Sequence, residues 1–339
     1  MQIYWRDGRI TSSALNTGMA AGLGFFDGMH LGHQAIAAQV VELGASLGLT
    51  PALVTFDRHP LSIVKPDEVP PLLTGADERR QYMWELGIEA VVELIFDEGL
   101  AGLEPEEFIK KILVDRLGVA AVAAGGDFTF GYKGRGTTEF LRKEGSRWGI
   151  QSVTTVPSVI VDGEKVSSTR IRGLLQEGDV ETAGKLLGRP YRLAGPVIQG
   201  DGRGRKLGFP TANLEVNEDR LIPKDGVYAV TVREIGAEDG GKLAARRQEL
   251  IGVLSISMKP TFDGKVRAVE VHVLDHKAAY YGKELEVSFH RYLRPIQKFA
   301  SSEELQRQVA WDIQNARRLF QTGVESKSGS APAEKIYSL

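Results

Sequence analysis

The run Met19-Ala20-Ala21-Gly22-Leu23-Gly24-Phe25-Phe26, then Asp27-Gly28-Met29-His30-Leu31-Gly32-His33, then a helical pattern from Gln34 to Leu47, carries the reading of the fold. An unbroken apolar stretch of this length reads as a strand buried on both faces. The two histidines therefore stand where a strand turns into a helix in an α/β layer. Such a turn holds unpaired backbone N–H groups and the positive end of a helix dipole, a natural seat for phosphate. Gly32 lets a bulky triphosphate come close to the backbone. Two imidazoles over an α-phosphate can donate hydrogen bonds to charge that builds up during nucleotidyl transfer. From the spacing alone, a plain helix start without chemistry reads as well. Zinc fits poorly, because the chain has no Cys, lacks His-Glu-x-x-His and offers no obvious third ligand nearby.

Outward from this run the same alternation repeats. Apolar runs at Ala52–Phe56, Ala90–Phe96, Val119–Ala124 and Val153–Val156 read as further buried parallel strands. Helical spacing fills the gaps at Asp77–Leu86, Pro105–Leu117 and Thr138–Trp148, with Pro105 and Glu104/Glu106/Glu107 as start signals and Gly118 as a C-cap. The pattern predicts a doubly wound parallel sheet with ligands at the carboxyl ends of its strands. His30, His59, Asp127 and Ser168 all fall just after predicted strands or in the loops that follow. Two short helices, Thr169–Gln176 and Val180–Leu187, lead to Gly188-Arg189-Pro190, where the pattern changes.

Beyond that point strands follow one another with turns and no helices: Tyr191–Gln199, Gly226–Arg233, Glu249–Ser257, Arg267–Leu274 and Glu284–His290. They predict a small antiparallel β-barrel, closed by a terminal helix from Ser302 to Phe320. The expected organisation is one domain over residues 1–187, a second over 188–320, and a polar tail, 321–339, read as disordered.

Composition narrows the function classes. The chain has 339 residues, 25% charged and 42% hydrophobic, with a net charge of −2, which gives no electrostatic case for nucleic acid or an anionic membrane as partner. Zero cysteines exclude a disulfide framework and thiolate catalysis, and agree with a cytoplasmic location. Met1–Ile10 lacks an apolar signal core, and no window approaches about 18 uninterrupted apolar residues, so no membrane span is expected. Oligomeric state is not legible.

Two more stretches suit anions. Ser167-Ser168-Thr169 precede Arg170 and Arg172 at a helix start, where hydroxyls, backbone N–H groups and guanidinium forks suit phosphates. Gly200-Asp201-Gly202-Arg203-Gly204-Arg205-Lys206-Leu207-Gly208 is a basic, glycine-spaced loop, an anion site or a mobile surface turn. Phe128 and Phe130 beside Gly131 could wall a planar ring or fill the core.

Five segments, in order, resemble the bacterial bifunctional riboflavin kinase/FAD synthetase family: Gly24 to His33, Thr55-Phe56-Asp57-Arg58-His59-Pro60, Gly126-Asp127-Phe128-Thr129-Phe130-Gly131, Ser167 to Arg172, and Gly208-Phe209-Pro210-Thr211-Ala212-Asn213-Leu214. The resemblance implies an adenylyltransferase first half. There Phe26, Asp27, Gly28, His30, His33, His59, Ser168, Thr169 and Arg172 hold ATP, His30 and His33 are catalytic, and Asp127, Phe128 and Phe130 bound the flavin. In the second half it implies a kinase. Gly204, Lys206, Gly208, Thr211 and Asn213 meet ATP, Thr211 and Asn213 serve Mg2+, Glu270 is the base, and Arg294 and Phe299 contact flavin. Riboflavin, FMN, FAD and ATP are then the small-molecule partners, ATP is a co-substrate, and no permanently bound prosthetic group is expected. Phe25 stands where many relatives carry Asn, Arg58 replaces a usual proline, Ser257 a common glycine, and Pro295-Ile296 a more polar pair. The alternatives are an adenylyltransferase whose barrel binds flavin without phosphorylating it, and a non-catalytic flavin-responsive regulator.

Overall fold

The chain opens on two strands that no long apolar run announces, β1 (Gln2–Trp5) and β2 (Ile10–Thr11). In β1, Ile3 and Trp5 are buried and Gln2 is exposed, an alternation too short to stand out in the sequence. Then come β3 (Met19–Leu23), α1 (Leu31–Leu47), β4 (Thr50–Phe56), α2 (Leu61–Val64), α3 (Ala76–Glu85), β5 (Ala90–Leu94), α4 (Glu98–Ala101) and α5 (Pro105–Glu107), which runs on as a π-helix through Val114. After β6 (Val119–Gly125) follow the hairpin β7 (Thr129–Phe130) and β8 (Gly136–Thr137), α6 (Thr138–Glu144) and β9 (Ser152–Val156). The hairpin β10 (Ile160–Val161) and β11 (Glu164–Lys165) leads to α7 (Ser168–Glu177) and α8 (Val180–Leu187). This computed structural model describes residues 1–12, 18–200, 204, 208–235, 249–261, 264–276 and 280–327.

The strands order as β2-β1-β5-β4-β3-β6-β9. The run from β5 to β9 is parallel, as the sequence predicts, and β1 joins β5 antiparallel with β2 beyond it at the edge. Chain order reverses direction between β3 and β6, so the crevice beyond their carboxyl ends is the topological switch point where such sheets bind ligands. Side chains alternate across the sheet into two cores. Met19, Ala21, Leu23 and Val54 pack with Phe108, Leu113 and Leu141 on one face; Ala20, Leu53 and Val91 pack with Ile36, Val40 and Met83 on the other.

By its contacts the chain forms two compact units: Met1–Ile171 with Leu186–Gly188, and Arg172–Lys185 with the chain from Arg189 onward. The second unit is a closed antiparallel barrel of β12 (Tyr191–Ile198), β13 (Ala212–Leu214), β14 (Gly226–Ile235), β15 (Leu250–Thr261), β16 (Gly264–Val273) and β17 (Glu284–Arg294), in the order β12-β13-β16-β15-β14-β17. Along β12 every second residue from Tyr191 is buried, the period-2 signature of a barrel wall. The terminal helix α9 (Ser302–Lys327) lays Ala316 and Ile313 on Val227, Ala229 and Val253. It continues past the expected end at Phe320, since extending a formed helix through polar residues costs little. The rest of the expected tail, 328–339, lies outside the described residues.

Arg294 ties α9 to the barrel. Its guanidinium donates to the Asp312 carboxylate at 2.8 to 3.1 Å, and the Asp312 side chain is 1% exposed. Arg294, expected to contact flavin, makes this ion pair, and Phe299 lies 5.7 Å from its guanidinium. Arg294→Met should lower unfolding free energy by about 3 to 5 kcal/mol, because it strands a buried carboxylate. Urea unfolding measures this, and Arg294→Met combined with Asp312→Leu should recover most of the loss. A single variant as stable as the wild type would show that the pair contributes nothing.

Candidate active sites

The turn after β3 is held under strain. Phe26, Gly28 and Met29 have φ of 59°, 83° and 43°, all left-handed. Two of them are non-glycine residues, a cost of about 1 to 3 kcal/mol each that the surroundings must offset. Asp27, 2% exposed, supplies the offset by accepting from the backbone N–H of Leu73 and of Thr74 at 3.0 Å and from the Thr74 hydroxyl at 3.2 Å. The Thr74 hydroxyl in turn accepts from Gly28 N at 3.0 Å. A Cβ on Gly28 would come within 2.9 Å of Leu73, so glycine is required there for space as well as for φ. Phe26 and Asp27, both expected at ATP, are buried and shape the backbone of this turn.

The histidines sit on that platform. His30 is the N-cap of α1, and its Nδ1 accepts from His33 N at 3.3 Å. The two rings stack with centroids 3.6 Å apart and planes 17° from parallel. His33 Nδ1 is buried with no hydrogen-bond partner. Burial, then the charges of His30 and Arg79, push the His33 imidazole well below its ordinary value, so it is neutral at neutral pH. After β4, His59 Nδ1 accepts from Leu61 N at 3.2 Å, and its ring meets Phe25 edge-on at 4.8 Å. Ser168, at the start of α7, donates to the Asp27 carbonyl at 2.9 Å. The structure thus gathers His30, His33 and Ser168 around one loop, with His59 beside it through Phe25. Thr169 and Arg172 follow Ser168 on α7, and Arg172 belongs to the second unit. Arg170 is spent on the β10–β11 hairpin, donating to Val161 O at 3.0 Å and pairing with Glu164 at 3.0 Å.

On the expected flavin side, Asp127 pairs with Lys165 at 2.6 Å, and that hydrogen bond holds its carboxyl below the usual range. Phe130 is 7% exposed, 5.5 Å from Phe108 and 6.4 Å from Phe140, and packs on the core side of the short hairpin. Phe128, only partly buried, stacks on it at 5.9 Å and keeps the outer position.

The second site lies on the outer face of the barrel. Asn213 on β13 stands opposite Glu270 on β16, which stands opposite Ser255 on β15. Val269 and Val271 on either side of Glu270 are buried, so the carboxylate turns outward. Its Oε1 accepts from Lys259 Nζ at 3.0 Å. His272 Nδ1, two residues on and on the same face, lies 2.8 Å from Pro210 O and holds the Phe209–Thr211 turn against the strand. A Cβ on Gly200 would fall 2.1 Å from Asn213 Nδ2, and one on Gly204 would fall 2.4 Å from Phe209 O. The glycines leave backbone open beside Thr211 and Asn213, room that a side chain would fill. Gly208 takes a φ of 84°, and Lys206 lies outside the described residues. No group of three or more His, Cys, Asp or Glu among the described residues could hold a metal by itself.

Arg79, Lys259 and His272 join these sites without being singled out by sequence reasoning. Only His272 had a local signal, its i+2 spacing from Glu270.

A family model described as FAD synthetase matches residues 12–170, and one described as riboflavin kinase matches residues 187–320. The chain is 39% identical over 302 residues to a bifunctional riboflavin kinase/FMN adenylyltransferase of Listeria monocytogenes, covering 88% of this chain and 91% of that one. The enzyme of the same description from Bacillus subtilis is 37% identical over 302 residues, with 88% and 91% covered. A solved structure from Streptococcus pneumoniae, described as a macrolide-efflux protein, superposes with a TM-score of 0.80 at 30% identity, covering 90% of this chain and 96% of that one. Among the described residues no helix is long and apolar enough to cross a membrane. With both family models matched in order along one chain, and relatives of this identity matched over nearly their whole length, the protein belongs to the bifunctional riboflavin kinase/FMN adenylyltransferase family.

Proposed function

We propose that this chain phosphorylates riboflavin with ATP to give FMN in the barrel unit, and adenylylates FMN with ATP to give FAD and pyrophosphate in the sheet unit. The observation that carries the reading is the stacked pair His30 and His33 on a braced turn at the sheet's switch point, separate in sequence from the Thr211–Asn213–Glu270 face. In the first unit an oxygen of the FMN phosphate attacks the α-phosphorus, and the bond to pyrophosphate breaks. No covalent intermediate with the protein is needed, so positioning and charge stabilisation carry the rate. His33, neutral and stacked on His30, donates to the α-phosphate without giving up its proton; the N–H groups opening α1, with Ser168 and Thr169, meet the remaining phosphates.

In the second unit Glu270 takes the proton of the flavin ribityl hydroxyl as its oxygen attacks the γ-phosphorus and ADP leaves. Thr211 and Asn213 suit Mg2+: they are hard, neutral oxygen donors beside open glycine backbone, and Mg2+ takes few protein ligands when phosphates supply the rest. The ion neutralises phosphate charge when bound. We place the protein in the cytoplasm on its lack of cysteine.

The direct test is to incubate the protein with riboflavin, ATP and magnesium and separate the flavins by chromatography: FMN should appear first and FAD after it. The activities should also divide between the units. A fragment from Arg172 to Lys327, the described extent of the second unit, should make FMN and no FAD. A fragment that folds but is inert, when the whole chain is active, would refute the two-site reading.

A further inference from the structure

We infer that Arg79 is a positioning residue for adenylyl transfer, bracing the turn that carries His30 and His33 against the turn that carries His59. The inference rests on the adenylyltransferase reading of the first unit.

Arg79 is an unusual core residue. It lies on α3 and is 3% exposed. A guanidinium taken out of water is costly unless matched by a carboxylate in contact. Here its bonded acceptors are two backbone carbonyls, Phe25 O to Nη1 at 3.3 Å and Phe56 O to Nη2 at 3.4 Å, and Nε is buried without a partner. Burial accordingly depresses its affinity for the proton, with Asp27 opposing that at longer range.

The two carbonyls explain what this arrangement does. Phe25 lies just past the end of β3, and Phe56 ends β4. The first leads through the strained turn to His30 and His33, the second through Asp57-Arg58 to His59. One planar fork spans both, which a single ammonium on a flexible stem cannot do with the same fixed geometry. The same guanidinium lies over the Phe25 ring at 4.8 Å, and the far contact of that ring is the edge-on His59 at 4.8 Å. From the same segment, Leu73 and Thr74 hold Asp27. The β3 turn is thus pinned at two points from the Leu73–Arg79 stretch; the Arg79 point also reaches β4, whose Thr55 hydroxyl donates to the same Phe25 carbonyl at 3.0 Å, so that Arg79 adds to that link a second hold, at the very end of β4. Near-attack geometry is sensitive to shifts of about 1 Å, which cost on the order of a hundredfold.

The test compares Arg79→Lys with Arg79→Met in the full-length chain. Arg79→Lys keeps the charge but not the two-point fork. FAD formation from supplied FMN should lose about tenfold in kcat with KM for FMN and ATP within about twofold, since the loss is of alignment rather than of binding. Arg79→Met should lose about tenfold more. Riboflavin phosphorylation by the same samples should not change, which controls for concentration and for the barrel. A direct signature is available from the His59 ring resonances in NMR. Phe25 shifts them by its ring current, and in Arg79→Lys they should move toward their free-peptide positions while the His30 and His33 resonances still report a folded first unit. If Arg79→Met fails to fold, Arg79→Lys decides alone. Wild-type kcat in Arg79→Lys, a loss confined to KM, or unmoved His59 resonances would each overturn the inference. Failure of the wild type to make FAD from FMN would instead refute the adenylyltransferase reading beneath it.

Discussion

His33→Ala should lower FAD formation from FMN and ATP by about a hundredfold or more, the size of effect seen when one donor to a transition-state oxyanion is removed. Riboflavin phosphorylation in the same sample should keep its rate. His33 is a cleaner probe than His30, whose Nδ1 also caps α1 by accepting from His33 N, so that His30→Ala adds a capping loss of about 1 kcal/mol. The two stacked rings cannot both be charged cheaply, and burial keeps His33 neutral. An unperturbed imidazole gains its proton near 6.5, whereas folded His33 does so only well below that. Two consequences follow. The neutral donor persists as pH falls from 7.5 to about 6, so FAD formation should not show the loss expected of an ordinary imidazole. The unfolded chain also binds a proton at this residue that the folded chain refuses, so stability present above the ordinary value is lost as pH falls toward the folded one. The drop in unfolding free energy from pH 7 to pH 5 should therefore be smaller in His33→Gln than in the wild type. Equal loss of both activities in His33→Ala would point to a folding defect or to one shared ATP site.

The central strands were legible because each is an apolar run bounded by polar or glycine-rich turns, and the parallel sheet buries them from both sides. The outer strand β1, next to the edge, was not, since four residues with two buried carry too little pattern. β13 is shorter still at three residues, yet it carries Asn213. The run Met19–Phe26 overstates its strand by three residues, because apolar character continues through Phe25 and Phe26 while the backbone has already turned, with Phe26 at φ 59°. Hydrophobicity reports burial, and Phe26 is buried in a turn.

The site was legible where chemistry sits close to a strand end. His30, His59, Asp127 and Ser168 could be placed by topology alone, because a doubly wound sheet brings its carboxyl ends to one edge. Roles that depend on distant partners could not. Arg79 acts on Phe25, 54 positions away, and Arg294 spends its charge on Asp312, 18 positions on. Phe128 and Phe130 share one face of a short segment, and only the packing of Phe108 and Phe140 tells which of them is covered. Asp27 reads as a phosphate-side residue and proves to be the brace of its own loop, since a buried carboxylate recruits whichever N–H groups lie nearest.

Glu270→Gln should keep riboflavin and ATP binding yet lose about a hundredfold or more of FMN turnover, within the range that general-base catalysis contributes. The amide has nearly the shape of the carboxylate but cannot take the hydroxyl proton. The geometry suits that role. Lys259 Nζ holds Oε1 at 3.0 Å and fixes the side chain on the outer barrel face, while no hydrogen bond to the second oxygen is seen among the described residues. Glu270 stands opposite Asn213 in the ladder, two residues before His272, which holds the Phe209–Thr211 turn through Pro210, so base and phosphate grip share one wall. Phosphoryl transfer asks little more of a protein than such positioning, together with charge neutralisation. Of the departures, Ser257 pairs with Ala268 two positions along the ladder from Glu270, on the same face, and Ile296 is exposed beyond β17. They should raise KM for riboflavin more than they slow the chemical step. FAD formation from supplied FMN should be untouched by Glu270→Gln, which separates a lost base from a damaged chain. Turnover above about a tenth of wild type would remove Glu270 from the base role. A wild-type protein that makes no FMN at saturating riboflavin, yet converts FMN to FAD, would leave the barrel as a flavin-binding wall with its phosphate grip idle.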